Sequence, residues 1–97
     1  MKESMKKLSI NEIEMKLLSI HGWWHQNDCI QKRFNFKNYD ETVAFVKSVI
    51  QIAQTNDHHP LITFGYKDCK VEYMTHSIQG ISDKDLSCAH EINQLVE

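Results

Sequence analysis

Apolar residues recur at spacings of three and four near the start of the chain, where Ile10, Ile13, Leu17 and Ile20 share one face of a predicted helix. The segment opens on SINE, residues 9–12, a capping box. The Ser9 hydroxyl accepts from the Glu12 amide, and the Glu12 side chain reaches back to the Ser9 amide. Gly22 is the predicted stop. From Trp23 the period falls to two. In CIQKRFNF, Ile30, Phe34 and Phe36 alternate with Gln31, Arg33 and Asn35, which predicts a half-buried strand with a solvated back. WWHQ before it is the predicted partner strand, joined through a turn in NDC.

The helical period then returns in ETVAFVKSVIQIAQT, with Asp40 as the expected cap, Ala44, Phe45, Val49, Ile52 and Ala53 as the buried stripe, and an end near Asn56. Two more strands are predicted, LITFGY and CKVEYMT, linked through Lys67 and Asp68. Cys69, Val71, Tyr73 and Thr75 share a face of the second. After Gly80, SDKD is another capping box, followed by Leu86, Ala89, Ile92 and Val96 at helical spacing. The order α-β-β-α-β-β-α, with hairpin links, predicts an α+β two-layer domain around an antiparallel sheet.

Composition narrows the function without naming it. The 97 residues are enough for one small core, so residues 1–97 are expected to be a single domain with residues 1–8 as a flexible N-terminus. A hydrophobic content of 41% and a charged content of 25% are those of an ordinary globular chain. The net charge of −2 offers no general attraction to nucleic acid or to an anionic membrane. The basic and aromatic residues of QKRFNFK do not change this, because Phe34 and Phe36 share a face and cannot flank Arg33 as a stacking platform. Charged residues interrupt the N-terminal MKESMKKLSINEIEMK before an apolar core of a signal peptide forms. Cys29, Cys69 and Cys88 are odd in number and widely spaced, so reduced thiols and a cytoplasmic location are expected.

The candidate chemistry lies in the histidines. Asp57, His58, His59 and Pro60 read DHHP at a helix-to-strand corner, since proline disfavours helical geometry in the residue before it. His76 ends the fourth predicted strand, so all three imidazoles lie at ends of elements, where pockets form. His21, His25 and His90 have no such setting and read as surface or partly buried residues. Three roles fit His58, His59 and His76. They satisfy buried backbone groups at a corner, they bind zinc together with Asp57 or Asp85, or they transfer protons near neutral pH.

The spacing then becomes specific. DHHP, five residues to Tyr66, nine more to His76, then GISDKD ending on Asp85, resembles the pterin-4a-carbinolamine dehydratase family. IQKRFNFKNYDETVAFV resembles that family's strand, turn and second helix, so the likeness spans roughly residues 23–95. It implies three helices on one face of a four-stranded antiparallel sheet, assembled as a homodimer or homotetramer. It implies dehydration of 4a-hydroxytetrahydropterin to the quinonoid dihydropterin, recycling the tetrahydrobiopterin used by aromatic amino acid hydroxylases, with no metal or redox cofactor. By resemblance His58 and His76 are the acid and base and His59 holds the pterin, with Asp57, Met74, Thr75 and Ser77 lining the ring. Tyr66 matches the family's aromatic, its simpler reading being core packing; Asp85 also matches, its simpler reading being a helix cap.

Two positions depart from the family's pattern. Many relatives place a carboxylate four residues before the first histidine, where this chain has Gln54, and often an acidic residue after H-H-P, where it has Leu61. Gln54 can form hydrogen bonds but supplies no charge. The resemblance therefore carries a second reading, a non-catalytic dimeric adaptor on the same fold, since some relatives stabilise a homeodomain transcription factor or assist assembly of a carbon-fixing enzyme. Neither reading has the chain touch nucleic acid or a membrane directly.

Overall fold

A computed structural model describes residues 5–97. Its elements are α1 (Ile10–Leu17), β1 (Trp24–Gln26), β2 (Cys29–Asn35), α2 (Tyr39–Asn56), β3 (Leu61–Phe64), β4 (Asp68–Tyr73) and α3 (Asp83–Gln94), with a 3₁₀ turn at His76–Ile78. The strands form one antiparallel sheet in the order β1-β2-β4-β3, with the three helices on one face, the α+β architecture expected. Pairing of Ile30 with Tyr73 and of Phe34 with Cys69 sets the alternation in register, so these side chains and Val71 face the helices together. Phe45, Val46 and Val49 of α2 and Leu86, Ala89 and Ile92 of α3 complete the core.

Lys32 shares the core-facing parity of β2, and its ammonium escapes along the sheet to the carbonyl of His21 and to Asn93 Oδ1, both at 2.9 Å. Burial lowers its pKa. Asn93 Oδ1 also accepts from Trp23 Nε1, and Asn93 Nδ2 donates to the His21 carbonyl, so the α1–β1 connection is tied to α3.

Several boundaries differ from the expected ones. Asn38, not Asp40, caps α2. Its Oδ1 accepts from the Glu41 amide at 2.9 Å, leaving Asp40 in the first turn beside the positive helix end. The α2 stripe is rotated toward Thr42 and Val46: Phe45, Val49 and Ala53 are buried as expected, Ile52 is half-buried and Ala44 is exposed. Thr42 can be interior because its hydroxyl lies 3.0 Å from both the Asn38 and Tyr66 carbonyls. Helix α1 stops at Leu17, short of Gly22, which instead turns the chain into β1 at φ 83°. Ile10 and Val96 are exposed, whereas Gln31, on the supposedly solvated back of β2, is buried. The expected flexible stretch does not reach Leu8, which is buried and donates its amide to the Ile81 carbonyl at 2.8 Å; residues 1–4 of that stretch lie outside the described residues. All three cysteines are free, and no described helix is long and apolar enough to cross a membrane.

Candidate active site

Three chain corners meet at one end of the sheet. At the first, Asp57 ends α2 in the left-handed conformation, φ 50°, and the His58 amide donates to the Ala53 carbonyl at 3.0 Å. Pro60 prevents the helix from resuming, and β3 begins at Leu61. The second corner follows β4, where Thr75 donates its amide to the Gly80 carbonyl and encloses the turn that carries His76. The third is the start of α3, where Ser82 and Asp85 form the anticipated capping box.

The side chains converge on Asp85, which is completely buried. Its Oδ2 accepts from Thr75 Oγ1 at 2.7 Å and from the Ser82 amide at 2.9 Å, while Oδ1 lies 2.6 Å from His58 Nε2. A carboxylate only accepts, so the His58 nitrogen is the donor. The cap reading of Asp85 was therefore half of its role, because one oxygen caps the helix and the other orients an imidazole. The His58 ring stacks on Tyr73 at 5.1 Å between centroids and 13° between planes, and the Tyr73 hydroxyl donates to the His58 carbonyl at 3.0 Å. Burial drives the Tyr73 pKa far above the usual phenol range, so this donor keeps its proton. Only 11% of the His58 side chain is exposed, held by Asp85 on one side and Tyr73 on another.

A pocket of about 340 Å³ opens onto this group. All seven residues expected around a ligand line it: Asp57, His58, His59, Met74, Thr75, His76 and Ser77. His59 and His76 are exposed on its walls, and Lys84 and Met5 also line it. Neither of these last two was legible, since Lys84 lies inside a capping box and Met5 comes from the N-terminal stretch. Tyr73 read only as a core residue of an alternating strand, which it also is.

The expectations for Tyr66 and Gln54 fail here. Tyr66 neither packs in the core nor touches the pocket; it is 67% exposed and stacks on Tyr39 at 6.1 Å, because β3 ends at Phe64 and leaves it in the hairpin turn. Gln54 is exposed and does not line the pocket, so the carboxylate beside His58 comes from Asp85 and not from the last turn of α2. His21 and His90 are exposed and His25 is half-buried, none of them at the pocket. Among the described residues no three His, Cys, Asp or Glu side chains are grouped to hold a metal ion.

The family model described as "Pterin 4 alpha carbinolamine dehydratase" matches residues 6–95. The chain belongs to that family. A protein of Nitrosospira multiformis that carries the provisional name pterin-4-alpha-carbinolamine dehydratase is 45% identical over 94 residues, covering 97% of this chain and 83% of that protein. One of Sulfolobus acidocaldarius with the same provisional name is 40% identical over 89 residues, covering 92% of this chain and 98% of that protein. Among solved structures, a transcriptional coactivator/pterin dehydratase from Brucella melitensis superposes with a TM-score of 0.91 at 26% identity, covering 95% of this chain and all of that one. A pterin dehydratase-like protein identified as a RuBisCO assembly factor of the alpha-carboxysome shares the fold alone, with a TM-score of 0.63 at 20% identity, over 75% of this chain and 84% of that one. Membership of the dehydratase family makes a pterin the first ligand to consider for the pocket.

Proposed function

We propose that the chain is a hydro-lyase that dehydrates 4a-hydroxytetrahydropterin to the quinonoid dihydropterin. The observation that carries this reading is His58, held from behind by the buried Asp85, in a pocket that His59 and His76 also line. The reaction breaks the C4a–O bond. One proton goes to the departing hydroxyl, which leaves as water, and one leaves the neighbouring ring nitrogen, whose electron pair closes the new double bond to C4a. No electrons leave the substrate, so two positioned proton carriers suffice. His58 and His76 are the acid and base, and His59 holds the ring. Asp85 stabilises positive charge on His58 as it carries a proton, and Tyr73 fixes the plane of that imidazole. Asp57, Met74, Thr75 and Ser77 line the ring.

In this reading the protein works in the cytoplasm as a homodimer or homotetramer and returns pterin cofactor to an aromatic amino acid hydroxylase. The direct test is dehydration of 4a-hydroxytetrahydropterin, followed spectroscopically, with purified protein pretreated with a chelator. Acceleration over the spontaneous reaction, unchanged by chelation, is expected. No acceleration would overturn the enzyme and favour the adaptor; activity lost on chelation and restored by zinc would overturn the proton-transfer mechanism.

A further inference from the structure

The catalytic pocket has a neighbour. A second cavity of about 310 Å³ shares His59, Met74 and His76 with it as common walls and extends toward the β1–β2 hairpin. Its own lining comes from Asn27 and Asp28 in the hairpin turn, Cys29 at the start of β2, Leu61 of β3 and Glu72 and Tyr73 of β4. These come together because Asn27 takes φ 58° in a two-residue loop closed by the Gln26–Cys29 pair, and because Leu61 and Glu72 are paired in register across the sheet. The arrangement is ordered: the Cys29 thiol contacts Glu72 Oε1 at 3.7 Å.

The proposed pterin ring occupies the histidine pocket, so whatever projects from that ring across the shared walls meets this second lobe. Resting on that reading of the site, we propose that the lobe receives the pterin's ring substituent and selects a neutral, hydroxylated chain over an anionic one such as a phosphate ester. Leu61 and Met74 offer apolar surface to an alkyl stem, and the Asn27 amide and the two carboxylates offer hydrogen-bond partners to hydroxyl groups. Asp28 and Glu72 are the carboxylates among the lining residues, and no lysine or arginine lines the lobe. Lys70 draws the other Glu72 oxygen, Oε2, at 3.7 Å without lining the cavity, so it weakens the field inside without reversing it. Apart from the shared His59 and His76, a phosphate meets no cationic side chain there and has two carboxylates to avoid.

The experiment compares two stable 7,8-dihydropterins that differ only in one group, a trihydroxypropyl side chain and its monophosphate ester, by calorimetric titration of the full chain at low ionic strength. The neutral compound should bind about tenfold more tightly, a gap that narrows with added salt. In the Asp28→Asn, Glu72→Gln double variant the gap should close, chiefly through better binding of the phosphate. Equal affinities in the parent protein, or a gap that survives in the double variant, would overturn the selective lobe. Catalysis is tested in parallel with a 6-methyl substrate too short to enter the lobe. Turnover of that substrate with equal dihydropterin affinities removes only this inference, whereas absence of turnover and of any pterin binding removes the function on which it rests.

Discussion

At the scale of single residues, Asp85 joins stability to chemistry, because the same buried carboxylate holds the first turn of α3 and the His58 ring. The two roles separate by substitution. Asp85→Asn retains an oxygen for Thr75 and the Ser82 amide but removes the charge opposite a forming imidazolium, so kcat should fall on the order of tenfold or more with little change in melting temperature. Asp85→Ala leaves both His58 and the Ser82 amide without their partner and should also cost about 3 kcal/mol in urea unfolding. Equal activity in Asp85→Asn and the parent would show that the carboxylate serves α3 alone. The motif spacing made His58, His59 and His76 legible as a group. It did not reveal which carboxylate faces them, since a four-residue offset on a helix pointed to position 54, while the partner lies 27 residues beyond His58 and only the tertiary fold brings it there.

At the scale of elements, local rules were legible wherever a local interaction decides the outcome. Both capping boxes formed as read, because each is closed within four residues. The rotated face of α2 was not legible, since Thr42 becomes an interior residue only through the Tyr66 carbonyl of a distant hairpin. Strand β4 and helix α3 also hold acidic groups that the native state keeps protonated. Burial raises the Cys69 pKa from 9.0 to about 11 and pushes the Tyr73 and Cys88 values upward as well. A raised folded-state pKa stabilises the protein fully below the unfolded value. That contribution fades as the unfolded chain releases protons which the native state retains, so for Cys69 the loss runs from about pH 9 to about pH 11. The urea midpoint should therefore decline steeply over that range, and less steeply in Cys69→Ala, whatever its lower starting stability. Parallel slopes for parent and variant would contradict the assignment.

At the scale of the whole molecule, a 97-residue chain with Ile50, Leu61, Leu95 and Val96 exposed has apolar surface left over from its core. Light scattering at micromolar concentration should accordingly report the mass of two or four chains; an active monomer would contradict that expectation. The periodicity conveyed the two layers and the antiparallel sheet, because each amphipathic element has one face to cover. What it could not convey is how corners distant in sequence close around a pocket, with Asp85 and Tyr73 behind His58, and His59 and His76 exposed in front. The central claim is that these histidines move the protons of a dehydration, and it is tested most directly by kcat for 4a-hydroxytetrahydropterin in the parent, His58→Ala and His76→Ala proteins. Each variant should remain folded and lose activity on the order of a hundredfold, the usual worth of a positioned acid or base. Parent-like rates in both variants would contradict the account.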